Sequence, residues 1–228
     1  MINIANNLAQ IGEEIKTASH NANRSSAAVN LLAVSKTKPA ALVQEAYDAG
    51  QRDFGENYIQ EAVDKIQQLA HLPDIRWHFI GPIQSNKTRL IAEHLSWVHS
   101  VDRIKIAKRL NEQRDTNINA LNVCLQVNIS GEQSKSGALV DELPELAEYI
   151  HNCANLTLRG LMAIPANSPD ESVTRDSFNK MQTLFNQLQH QYPSVDTLSM
   201  GMSGDLAIAI ECGSTTVRIG SAIFGSRN

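Results

Sequence analysis

The chain has 228 residues, 42% of them hydrophobic, which is enough for one substantial core and short for two independent α/β domains. Lysine and arginine number 20 against 24 aspartate and glutamate, a net charge of −4 with the two signs interspersed, so no electrostatic footprint for nucleic acid or an anionic membrane is visible. Cys124, Cys153 and Cys212 are odd in number and widely spaced, which argues against a disulfide framework or zinc site and fits reduced thiols in a cytoplasmic protein.

The first segment places Ile4, Leu8, Ile11 and Ile15 at helical spacing. It lacks a basic leader region and a long apolar run, so it reads as an amphipathic helix packed on the body of the protein rather than a signal peptide or membrane span. Short apolar, β-branched runs then recur at 31–35, 52–56, 75–80, 97–101, 122–128, 157–164, 197–200 and 216–220. Between them lie stretches with apolar residues three and four apart, such as Leu42, Val43, Ala46 and Ala49, then Ile59, Ala62, Val63 and Ile66, and later Phe178, Met181, Phe185 and Leu188. Pro39 suits the first turn of the first such helix and Gly50 its end. Asn57, Asp102 and Asp141 suit N-caps, and Pro144 a first turn.

Eight strands alternating with helices predict a parallel sheet, and the number eight favours closure into a single (β/α)₈ barrel spanning 1–228, with an extra N-terminal helix. A doubly wound open sheet is the competing architecture. In a barrel, functional groups gather at the C-terminal ends of the strands. The unusual residues fall there: Ser35-Lys36-Thr37-Lys38-Pro39, Gly55-Glu56-Asn57-Tyr58, His78-Phe79-Ile80-Gly81, Met200-Gly201-Met202-Ser203-Gly204-Asp205 and Arg218-Ile219-Gly220-Ser221.

Lys36 follows a run of apolar residues, so its amine sits at the edge of a packed interior, where desolvation disfavours the ammonium and suits an amine that condenses with a carbonyl. The plainer reading is a lysine reaching into solvent. Ser203, at the start of a short apolar helix, together with Gly220 and Ser221, forms a candidate phosphate cradle after strands 7 and 8. The plainer reading there is a helix cap and a turn. Arg218 points into the barrel if Thr216 does, and its permanent charge needs an acceptor. A ring nitrogen of a phosphate-bearing cofactor or a carboxylate such as Glu56 would serve.

The segments LLAVSKTKP, FGENYIQE, WHFIGPIQSNK, NISGEQSKSG, LRGLMAIP and LSMGMSGDLAIAIECGSTTVRIGSAIFG resemble, nearly end to end, the YggS/PROSC family of pyridoxal phosphate homeostasis proteins. Members of that family are similar to the barrel domain of bacterial alanine racemases without its second domain. The resemblance implies pyridoxal 5′-phosphate as cofactor, held by Lys36 as a Schiff base. It matches Ser203, Gly220 and Ser221 to phosphate-binding positions and Arg218 to the partner of the pyridine nitrogen. It sets Asn57 and His78 along the cofactor pocket, with Met200 packed nearby. It further implies control of free pyridoxal phosphate, possible delivery to apo-enzymes and no robust catalytic turnover.

An arginine opposite the ring nitrogen disfavours its protonation and weakens the ring as an electron sink. The tyrosine that racemases draw from their second domain is expected to be missing, since the chain ends at Asn228 directly after the barrel; the absent interface suggests a monomer. Tyr58 or His78 would have to substitute for that tyrosine in the alternative reading, a minimal amino-acid racemase. A class I aldolase using Lys36 is a third reading. Lys135, between Ser134 and Ser136, is a candidate second phosphate or transfer site, against a solvated polar loop. The remaining histidines show no metal-ligand spacing and read as surface or core residues.

Overall fold

A computed structural model describes residues 3–132, 136–165, 168 and 170–226. Eight strands pair in parallel and close on themselves in chain order: β1 (Asn30–Val34), β2 (Asp53–Glu56), β3 (Arg76–Phe79), β4 (Trp97–Val101), β5 (Leu121–Gln126), β6 (Leu156–Met162), β7 (Thr197–Ser199) and β8 (Thr216–Ile219). The closure is the pairing of β1 with β8, in which Asn30 faces Thr216 and Leu32 faces Arg218. An open sheet would leave these two strands as edges, so the doubly wound alternative is excluded.

Nine helices are described: α1 (Ile4–Asn21), α2 (Ala40–Asp48), α3 (Ile59–Gln68), α4 (Thr88–His94), α5 (Ile104–Gln113), α6 (Leu143–His151), α7 (Glu171–Gln191), α8 (Leu206–Glu211) and α9 (Ser221–Phe224). The apolar periodicity of the sequence is the face each helix turns to the barrel. Thus Phe178, Met181, Phe185 and Leu188 of α7 are all buried, each such side chain contributing about 1.5–3 kcal/mol relative to exposure. The preceding helix α1 buries Ile4, Ile11 and Ile15 and packs against α2, α8 and α9. No helix among the described residues is long and apolar enough to cross a membrane.

Cap positions differ from expectation by about one residue. Pro39 is the N-cap of α2 rather than inside its first turn, and Tyr58 and Arg103, not Asn57 and Asp102, cap α3 and α5. Asp141 lies in a short 3₁₀ turn ahead of α6, whose N-cap is Glu142. Pro144 does occupy a first turn, and Gly50, at φ +102°, follows the end of α2.

Because side chains alternate across a strand, each strand sends one set into the barrel and one toward the helices. The outward set, including Ala33, Phe54, Phe79, Val98, Val123, Leu198 and Val217, is buried against the helices and forms the apolar core. The inward set is unusually polar. Asp53, Arg76, His78, His99, Arg159, Thr197 and Thr216 line a cavity of about 390 Å³ together with the starts of β1 and β4. One step up each strand, Val34, Ile80, Arg218 and Gly220 line a cavity of about 220 Å³ at the opposite mouth.

Candidate functional site

The cavity at the C-terminal mouth brings together six of the residues expected from sequence: Lys36, Asn57, Ser203, Arg218, Gly220 and Ser221. Lys36 is half-buried and continues the inward phase of Leu32 and Val34. Ile80, Ile164 and Met202 add an apolar lining, a role that their positions in the sequence do not announce.

The backbone around Lys36 is held from behind. Thr37 adopts φ +62°, a left-handed conformation that is rare for a β-branched residue, and its N–H donates to Glu61 Oε1 at 2.6 Å. The buried Lys65 of α3 donates to Ser35 O at 2.7 Å, Glu56 Oε1 at 2.7 Å and Glu61 Oε1 at 2.6 Å. Ser35 Oγ also donates to Glu56 Oε1, at 2.6 Å. Burial pushes the Glu56 carboxyl up, and Lys65 draws it part of the way back. Glu61 and Lys65 stand at i,i+4 spacing, the one visible signal of this support in the sequence.

Arg218 is not paired with Glu56. Glu56 belongs to the outward set of β2 while Arg218 faces into the barrel, so the two lie on opposite sides of the sheet. Arg218 Nη1 donates to Ser199 O at 2.7 Å and Ser199 Oγ at 2.9 Å, and Nη2 donates to Ala163 O at 2.9 Å. Its Nε makes no hydrogen bond to a described residue. Burial lowers the guanidinium to about 10, with the opposing pull of Asp205, so it remains a cation at neutral pH.

On the other wall, Met202 N–H donates to Asp205 Oδ1 at 2.6 Å, closing a turn that leaves Ser203 exposed ahead of α8. Ser203 is thus two residues before the N-cap, Asp205. Gly220 caps α9, and a side chain there would meet the Val34 carbonyl oxygen at 3.1 Å. Ser221 and Ala222 open α9, where first-turn N–H groups have no carbonyl within the helix. Lys36, two serine hydroxyls and these N–H groups suit an anion such as phosphate.

Asn57 contributes a buried Oδ1 with no hydrogen-bond partner among the described residues. Its backbone is braced by Gly81, where a Cβ would fall 2.2 Å from Asn57 O. An orphaned acceptor beside a lysine, an arginine and an anion cradle fits a polar, phosphate-bearing ring with a reactive carbonyl.

Two expected pocket residues lie elsewhere. His78 lines the cavity at the N-terminal mouth, because alternation along β3 places it one layer below Ile80. Met200 is fully buried in the core; alternation turns it outward, and Met202 takes the pocket position. Tyr58 is 57% exposed and is not part of the pocket lining. Lys135 and Ser134 lie outside the described residues. The three cysteines are free, and no group of metal-ligating side chains occurs among the described residues.

The alanine racemase N-terminal domain family matches residues 7–228. The chain is 56% identical to the pyridoxal phosphate homeostasis protein of Vibrio alginolyticus over 231 residues, covering 100% of this chain and 99% of the relative. It is 57% identical to the protein of that name from Pseudomonas aeruginosa, covering 100% and 97%. Among solved structures, PipY of Synechococcus elongatus with pyridoxal phosphate bound superposes with a TM-score of 0.81 at 37% identity, covering 97% of this chain and 100% of PipY.

Proposed function

The chain belongs to the family of pyridoxal phosphate homeostasis proteins, and from that premise we propose that it holds pyridoxal 5′-phosphate through Lys36 and releases it without turning over a substrate. The cofactor, when bound, supplies an electrophilic aldehyde and an electron-withdrawing ring. Lys36 condenses with the aldehyde as a Schiff base. Ser203, Ser221 and the first-turn N–H groups of α9 hold the phosphate, with Gly220 allowing close approach. Asn57 meets a polar ring substituent.

The observation that carries this reading is the state of Arg218. Ser199 and Ala163 hold two of its nitrogens, and Nε is left for the ring nitrogen. A guanidinium donates and does not accept, so the ring nitrogen facing it stays unprotonated. That environment favours holding the cofactor over stabilising a substrate carbanion. The positions of Tyr58 and His78 outside the pocket lining support the same conclusion, since they were the candidates for a second proton-transfer group. A holder of this kind keeps reactive aldehyde low and can pass the cofactor to apo-enzymes.

Borohydride reduction followed by peptide mass spectrometry tests the proposal. One pyridoxyl group per chain on Lys36 is expected, and Lys36→Ala protein should be unlabelled in the pocket. Absence of label on Lys36 in cofactor-saturated protein would overturn it. α-Hydrogen exchange of alanine or serine well above the rate with free cofactor would instead establish the racemase-like alternative.

A further inference from the structure

Beneath Arg218, a line of hydrogen bonds runs through the polar interior of the barrel to its far mouth. Ser199 Oγ on β7 lies 2.9 Å from Arg218 Nη1 and 3.0 Å from His99 Nδ1 on β4. His99 Nε2 lies 2.9 Å from His78 Nδ1 on β3, and His78 Nε2 lies 2.9 Å from Asp53 Oδ1 on β2. Asp53 is also paired with Arg76 at the mouth of the N-terminal cavity.

With both histidines neutral, the direction of every bond in this line follows from donor capacity. Burial holds both histidines toward the neutral form, with His78 also acting on His99. The Asp53 carboxylate only accepts, so His78 Nε2 must donate to it. A neutral His78 then accepts at Nδ1, so His99 Nε2 donates. His99 in turn accepts at Nδ1, which requires Ser199 Oγ to donate its hydrogen there. The same Oγ is left as an acceptor, which Arg218 fills. Five residues from five strands thus share one polarity, with a carboxylate at one end and a guanidinium at the other.

We infer that Ser199, His99, His78 and Asp53 form a positioning relay that sets how tightly Arg218 holds the cofactor ring, so that retention is controlled from the mouth opposite the cofactor. The inference rests on the proposed contact between Arg218 and the ring nitrogen. Breaking any link leaves the next group without its partner, and the slack travels to Nη1. Arg218 then keeps its bonds to the Ser199 and Ala163 carbonyls but loses the side-chain acceptor on Nη1, one of the three bonds that fix the direction of Nε. Chains of this kind also polarise each link by the one before, so the Asp53 charge reaches Arg218 through bonds as well as across space.

The test reconstitutes full-length wild type, Ser199→Ala, His99→Phe, His99→Gln and Arg218→Lys with pyridoxal 5′-phosphate. It records the absorption band of the bound cofactor and its loss on dialysis, with thermal melting as the control for folding. A hydrogen bond to a charged group is worth about a tenfold change in an equilibrium or more. Ser199→Ala and His99→Phe should therefore shift the band and lose cofactor about tenfold faster. Glutamine offers an amide N–H₂ to donate and a carbonyl to accept, so His99→Gln should return release to within about twofold of wild type. Wild-type band and release in Ser199→Ala would overturn the relay, as would His99→Gln behaving like His99→Phe at equal melting temperature. If Arg218→Lys keeps the wild-type band and release while Lys36 is still labelled by borohydride, the contact between Arg218 and the ring fails and the relay with it. If Lys36 is unlabelled, the failure lies in the proposed function itself.

Discussion

Lys65 Nζ lies 2.7 Å from Glu56 Oε1, with the two side chains only 5% and 0% exposed. The ammonium has three protons and meets three acceptors, in Ser35, Glu56 and Glu61, so α3 is tied to the strand ends that carry Lys36 and Asn57. Removing one member of a buried pair costs about 3–5 kcal/mol, because the other charge stays behind. Lys65→Met should lose that much in urea denaturation. Glu56→Gln added to Lys65→Met should recover part of the loss. A single variant within about 1 kcal/mol of wild type would show that the tie is not structural.

Asp53 makes stability depend on acid. Burial raises its carboxyl, but hydrogen bonds from Arg76 and His78 outweigh that and bring it down from 3.8 to about 2. A folded value below the unfolded one means that the stabilisation is present above about pH 4 and is lost as pH falls toward 2. Asp53→Asn should be less stable by on the order of 2 kcal/mol at pH 7. The gap between the two proteins should close as both are titrated below pH 4; a gap that is constant with pH would assign the loss to packing.

His99 acts in a different window. Burial depresses it well below its ordinary value of 6.5, so the unfolded chain takes up the proton first as pH falls. Stability from the neutral imidazole is therefore present above about pH 6.5 and declines below it. Wild type should begin to lose stability between pH 6.5 and 5, and His99→Gln, which has no titrating ring, should show a flatter profile across that interval. Denaturation curves at half-unit pH steps distinguish the two.

The eight strands were legible because short apolar or β-branched runs alternate with helical patterns, although Asp53–Glu56 and Arg76–Phe79 hold no β-branched residue themselves. Six pocket residues were legible because they sit at or just past strand ends. The same alternation rule, carried one step further, separates what was missed. His78 and Ile80 share a face of β3, but only Ile80 reaches the C-terminal mouth. Met200 follows the inward Ser199 and so must face the helices. The relay was hidden for another reason: His78 and His99 are neighbours only after β3 and β4 pair, and Ser199 only after closure across the barrel. Lys65 reads as a surface lysine on an amphipathic helix until α3 is placed over Glu56.

Gly81 offers a change near the pocket that meets backbone rather than side-chain atoms. A Cβ there would fall 2.2 Å from Asn57 O and 2.7 Å from Asn57 Cα, both backbone atoms, so relief requires moving the chain. Gly81→Ala should displace Asn57 and lower cofactor affinity about tenfold or more, with a stability loss of about 1–3 kcal/mol. Equilibrium titration followed by absorbance would show it. Unchanged affinity would mean that Asn57 is not positioned by this contact.

Thr37 allows the same question to be put to Lys36. Its φ of +62° costs a side-chain-bearing residue roughly 1–2 kcal/mol, which glycine avoids. Glycine adds its own cost in chain entropy, about 0.5–1 kcal/mol, so the two effects nearly cancel. Thr37→Gly should therefore unfold at a urea concentration equal to or slightly above that of wild type, with the bond from its N–H to Glu61 retained. The same freedom loosens the backbone next to Lys36, so dialysis should remove cofactor faster from Thr37→Gly than from wild type despite equal stability. If release is unchanged while stability rises, the left-handed turn is a folding cost with no part in holding Lys36. If stability falls by more than about 2 kcal/mol, the native turn is not strained and the steric argument fails.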